Sequence, residues 1–161
     1  MSAAEVALLA SLVLAGLWSG LLLFLTTILH PVFAGLSGPD FAVLMRRFLP
    51  VARRSATNYV IVIGLVVAPA AALVGLGDRP AGAPFILTAV GLAATLLGPV
   101  MASRLLAEPL YDVMLGWEPE AMPPGWQRVR ARYFRINWLR GWLTWLSFAL
   151  FLAALLLEVR S

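Results

Sequence analysis

Four apolar stretches without a charge in their central parts, roughly residues 6–29, 56–76, 84–103 and 138–157, leave this chain few folds to choose from. Each approaches or exceeds the ~20 residues that a helix needs to cross a hydrocarbon core of about 30 Å. Backbone N–H and C=O groups at that depth must be satisfied within the segment, which favours helices. The expected fold is therefore all-α: a four-transmembrane-helix bundle forming one membrane domain over residues 1–161. The run from Val6 is too long for a secretory h-region and has no basic residue before it, so it reads as a first span that stays.

Charge fixes the expected orientation. All twelve basic residues are arginines. Arg46, Arg47, Arg53 and Arg54 fall between spans one and two, and Arg104, Arg128, Arg130, Arg132, Arg135 and Arg140 bracket or fill the gap between spans three and four. Loops rich in arginine are retained in the cytoplasm, so both termini and the 77–82 turn are expected outside, in a bacterial inner membrane. With arginines flanking apolar spans, the net charge of +4 points to anionic lipid and topology, with no nucleic-acid partner. The absence of cysteine excludes disulfides, thiolate metal sites and thiol nucleophiles. No phosphate loop, dinucleotide fingerprint, zinc motif or serine nucleophile elbow is present, and no cofactor is implied.

The inner loops have periodicity of their own. After Pro39, with Asp40 as cap, residues Phe41, Leu44, Met45, Phe48 and Leu49 recur at helical spacing, with Arg46 and Arg47 towards the other side. In the second loop Trp126, Val129, Tyr133 and Ile136 mark one face against Arg128, Arg132 and Arg135. Both read as amphipathic cytoplasmic helices, apolar face down and arginines towards lipid phosphates. They anchor the fold or recognise a partner. Gly16 with Gly20, and Ala94 with Gly98, have the small-xxx-small spacing of close helix packing. Pro69 and Pro99 should bend spans two and three, either as tolerated kinks or to open a cavity.

The two halves echo one another. Span one ends in His30-Pro31 and span three runs into Glu108-Pro109, while spans two and four open near Asn58 and Asn137. The separations His30 to Asn58 and Glu108 to Asn137 are 28 and 29 positions, a layout that suggests two parallel hairpins about an axis along the membrane normal. Polar residues at membrane depth are functional candidates. His30 is a candidate general base, or else an interfacial histidine satisfying backbone. Glu108 follows Arg104 by four residues, the spacing of a helical ion pair. Asn58 and Asn137 join helices or orient a ligand, and Arg140 either snorkels or serves as an oxyanion partner. His30, Glu108 and Asp112 have ligand types suited to iron, without spacing that supports a metal. Trp138, Trp142 and Trp145 read as an aromatic belt or a binding platform. Trp145 lies deepest.

The run from Ala15-Gly16-Leu17 through Leu29-His30-Pro31, the segment Phe41-Ala42-Val43-Leu44-Met45-Arg46-Arg47, and Phe134-Arg135-Ile136-Asn137-Trp138-Leu139-Arg140 together resemble the anthrone-oxygenase-like family of small four-helix membrane proteins, most of unassigned activity. Glu108-Pro109-Leu110-Tyr111-Asp112 departs from that family's pattern, which has an asparagine after the proline. The resemblance implies a four-helix membrane fold and, for polyketide members, cofactor-free oxidation of an anthrone to an anthraquinone. Two functions follow. One is a membrane subunit or helper whose cytoplasmic surface meets lipid, a membrane-protein partner or a second copy of itself. The other is an oxygenase of a lipophilic small molecule, with His30, Asn137 and Arg140 catalytic and Asn58, Arg104, Glu108, Asp112 and Trp138 binding.

Overall fold

The computed structural model describes residues 1–160, which contain helices and turns and no strand among the described residues. Four helices have the length and apolarity to cross a membrane: α1 (Ala3–Ala34), α3 (Ala56–Gly75), α4 (Ala83–Leu115) and α5 (Trp126–Glu158). A fifth, α2 (Gly38–Arg54), links α1 to α3. Length and composition thus make the chain a membrane protein. The spans alternate in direction. The start of α1, the end of α3 and the end of α5 meet in one cluster through Ala4, Leu8, Ala72, Leu76 and Ala154. The end of α1, the end of α4 and the start of α5 meet at the opposite end through Phe33, Leu110, Met114 and Tyr133. Around the bundle, α1 packs against α3 and α5, and α4 packs against the same two helices.

Three spans overrun their apolar stretches at the arginine-rich end. α1 continues to Ala34, α4 to Leu115, and α5 begins at Trp126 and runs unbroken for 33 residues. The second amphipathic segment is therefore the first turns of α5 and not a separate surface helix.

The first amphipathic segment is a helix of its own. Its cap is Ser37, whose hydroxyl accepts from the Asp40 N–H at 3.3 Å. Its apolar face does not turn to lipid: Phe41, Met45 and Leu49 are completely or almost completely buried against Phe33, Met114, Trp117, Tyr133 and Ile136. α2 is a lid on the end of the bundle, and burial of each large side chain is worth about 2 kcal/mol. Arg46, Arg47 and Arg54 remain exposed on its other side. Arg130 acts within the protein. It donates to the carbonyls of Phe33 at 3.1 Å and Leu36 at 3.0 Å, satisfying the end of α1, and lies over the rings of Phe41 and Trp126.

Two spans are locally widened. α1 takes a π-helical turn over Leu25–Leu29 and α4 over Leu96–Ala107, so that the N–H of His30 donates to Leu25 and that of Glu108 to Ser103. Each segment ends two residues before a proline, Pro31 or Pro109, and the longer one also contains Pro99. A proline supplies no N–H and crowds the carbonyl one turn earlier; a wider turn relieves that crowding. Pro69, by contrast, sits within an α-helix that remains regular.

Close packing is set by α4 against α5. A Cβ on Gly98 would lie 2.7 Å from the Cβ of Leu143. Beside it Ser147 donates to the carbonyl of Gly91 at 3.0 Å and accepts from Thr95 at 3.1 Å, a polar link between the helices at bundle depth. Of the other small pair, Gly16 faces Phe148 whereas Gly20 has open space beside it.

Candidate functional site

At the arginine-rich end a chain of polar side chains crosses from α1 through α5 to α4. Asn137 meets Nε2 of His30 at 3.3 Å through its amide nitrogen, Arg140 donates to Oδ1 of Asn137 at 3.0 Å, and Arg140 also donates to the hydroxyl of Tyr111 at 3.3 Å. The donor inventory fixes the roles. A guanidinium has no acceptor, so the Asn137 oxygen must face Arg140 and the amide N–H must face His30. Nε2 of His30 then accepts, and the neutral ring carries its proton on Nδ1, which has no hydrogen-bond partner among the described residues. The ring stacks on Phe134 with centroids 4.2 Å apart. His30, Asn137 and Arg140 are all buried.

Next to this chain lies a cleft of about 630 Å³. Its walls are apolar along α1 and α3, with Trp18, Leu22, Leu25 and Val62 among them. Its polar end holds Asn58, Arg53, Arg104, Glu108, Tyr111 and Arg140. Both widened turns border it, through Leu25 and Leu29 of α1 and through Pro99, Val100 and Ser103 of α4. An extra residue per turn swings the following side chains off the regular face.

Two ion pairs close the rim. Arg53, at the end of α2, bridges Glu108 and Asp112 of α4, the latter at 2.8 Å. Asp112, through its hydrogen bond, holds the Arg53 guanidinium above its ordinary pKa; partial burial opposes this and Glu108 adds to it. Asn58 donates to the carbonyl of Ala52 at 3.2 Å and so ties α3 to the last turn of α2, not to another span.

The residues singled out from the sequence thus divide. His30, Asn137 and Arg140 form one connected chain, but only Arg140 reaches the cleft wall. Asn58, Arg104 and Glu108 line the cleft, while Asp112 sits outside it and holds Arg53. Glu108 pairs with Arg53 and not with Arg104, which is exposed on the wall. Trp138 does not line the cleft; it packs in a tilted and edge-on cluster with Trp142 and Trp145, and Trp145 donates to the carbonyl of Ser19 at 3.3 Å. His30 lies apart from Glu108 and Asp112, and no three acidic or histidine side chains gather to hold a metal among the described residues.

Sequence reasoning missed Arg53, Tyr111 and Ser103 as cleft residues. Tyr111 carried a usable signal, three positions after Glu108 on the same helical face. Arg53 carried none, because topology alone accounts for an arginine there. Comparisons with family models, curated proteins and solved structures give no match to this chain.

Proposed function

We propose that this chain is an inner-membrane protein that takes a lipophilic small molecule into the cleft between α1, α3 and α4, acting as a binding subunit or helper. The supporting observation is the cleft itself, whose volume falls in the ~300–1,000 Å³ range of small-molecule sites and whose polar groups gather at one end. Apolar walls accept a tail from the bilayer, and the polar end fixes a head. The test is a Val62→Trp variant, which fills the cleft and leaves the polar end intact. With protein in neutral-lipid nanodiscs, a lipophilic fluorescent reporter should bind the native chain and lose most of its affinity for the variant. Equal binding to both would refute the reading.

A second reading, the cofactor-free oxygenation that the family resemblance implies, draws on the donors Arg140 and Tyr111, which suit an enolate. In that reaction a carbon acid loses a proton, its carbanion takes up O₂, and the hydroperoxide sheds water to leave a ketone. His30 is badly placed to take the proton, since Asn137 occupies its lone pair and it does not line the cleft. Glu108 is the one carboxylate on the wall among the described residues, so the reaction would need it as base. Anthrone-dependent O₂ uptake that survives His30→Phe and is lost in Glu108→Gln would carry this second reading; no uptake would end it.

A further inference from the structure

Arg140 presents a charge that no ion pair neutralises among the described residues. It is 8% exposed, it lies within a membrane-length helix, and no carboxylate pairs with it among the described residues. A buried guanidinium without a counter-charge is costly. Its Nη1 serves Asn137 and Tyr111, whereas Nε has no partner and Nη2 makes no hydrogen bond. Nε is sealed within the protein, so Nη2 is the guanidinium nitrogen left to meet a ligand.

Tyr111 adds to the imbalance. Its oxygen already accepts from Arg140, so its own O–H is left to donate, and the residue lines the same cleft. The end of the cleft near Arg140 therefore offers donors and a positive charge. Glu108, the carboxylate on the wall, pairs through Oε2 with Arg53, and no ion pair joins it to Arg140 among the described residues.

We infer that the cleft selects a lipophilic carboxylate, one oxygen accepting from Nη2 of Arg140 and the other from the hydroxyl of Tyr111, with its tail along Trp18, Leu22 and Val62. This rests on the reading that the cleft binds a lipophile and goes beyond it by naming the head. A two-oxygen anion takes both donors at once, and a single negative charge balances a single guanidinium. The carboxylate could belong to an alkyl chain or to an aryl acid.

The test measures one-to-one adducts by native mass spectrometry from a non-ionic detergent, using dodecanoate, 2-naphthoate and dodecan-1-ol as probes. At least one carboxylate should bind the native chain roughly tenfold or more tighter than the alcohol, the worth of a charge-assisted pair. Which carboxylate binds better reports the tail, and either preference supports the inference. Arg140→Gln should abolish the discrimination. Because Arg140 also holds Asn137, Tyr111→Phe provides a milder variant: it should weaken the carboxylate several-fold and leave dodecan-1-ol unchanged. Equal affinity of acid and alcohol for the native chain would overturn the inference, as would a Tyr111→Phe effect shared by both. Val62→Trp separates the two levels. If it blocks dodecan-1-ol while acid and alcohol bind the native chain alike, the cleft stands and the anionic head falls; if it blocks nothing, both fall.

Discussion

The contact between His30 and Asn137 can be tested by its coupling energy. Asn137→Leu keeps the approximate volume and removes both amide functions, stripping Nε2 of His30 of its donor and Nη1 of Arg140 of the nearer of its two acceptors. Hydrogen bonds between membrane helices average about 0.6 kcal/mol and reach about 1.7, and orphaned buried groups add to the loss. Asn137→Leu should therefore cost about 2–3 kcal/mol. His30→Phe keeps a ring stacked on Phe134 and breaks only one neutral bond, for about 1 kcal/mol. The double variant should fall short of the sum by roughly 0.6–1 kcal/mol, since the shared bond is lost only once. Reversible unfolding in mixed micelles measures all four proteins. Coupling below about 0.3 kcal/mol, the additivity expected of independent sites, would show that the 3.3 Å contact carries no energy. A larger cost for His30→Phe than for Asn137→Leu would show that Asn137 is not the centre of the chain.

Two further perturbations probe the fold. Gly98→Ala places a methyl 2.7 Å from the Cβ of Leu143, which cannot swing away, and should cost about 1–3 kcal/mol; Gly20→Ala meets open space and should be neutral or stabilising by up to about 1 kcal/mol. Similar costs at both sites in an unfolding titration would contradict the packing described. Since the chain has no cysteine, Ala81→Cys and Gln127→Cys each give a single thiol at opposite ends of the bundle. A membrane-impermeant maleimide applied to intact cells should label position 81 and spare 127, and the reverse pattern would invert the expected orientation.

The four spans were legible because a membrane allows one solution to an uncharged run of twenty residues. Their ends were not, since hydropathy falls wherever polar residues appear, and α1, α4 and α5 all continue as helices beyond that point. The apolar stripe of α2 was read correctly as periodicity, but periodicity cannot say what covers it. Phe41 and Met45 meet Met114 and Trp117, so lipid is not needed to bury them. The arginines show the same limit. Arg104 and Arg140 stood out by their neighbours in sequence, yet Arg53 and Arg130 make the clearest contacts within the protein. A topological signal hides a structural one when both call for the same residue type.

The echo between the halves makes a sharper physical point. If His30 and Glu108 occupy matching places, and Asn58 and Asn137 likewise, symmetry calls for two contacts, His30 with Asn137 and Glu108 with Asn58. Both spans bear the same device, a widened segment ending two residues before a proline. Only the first contact forms. On the other side Glu108 turns to Arg53, and Asn58 turns to the backbone of Ala52, so the two residues line a gap instead of bridging it. The difference lies in charge. A neutral imidazole is satisfied by one amide donor, whereas a carboxylate draws the strongest donor in reach, and Arg53 stands at the end of α2 beside it. One half of the bundle is thereby fastened through α1 and α5 and the other left parted along α3 and α4. The same chain of bonds that fastens the first half delivers Arg140 to the edge of the second with its Nη2 unspent.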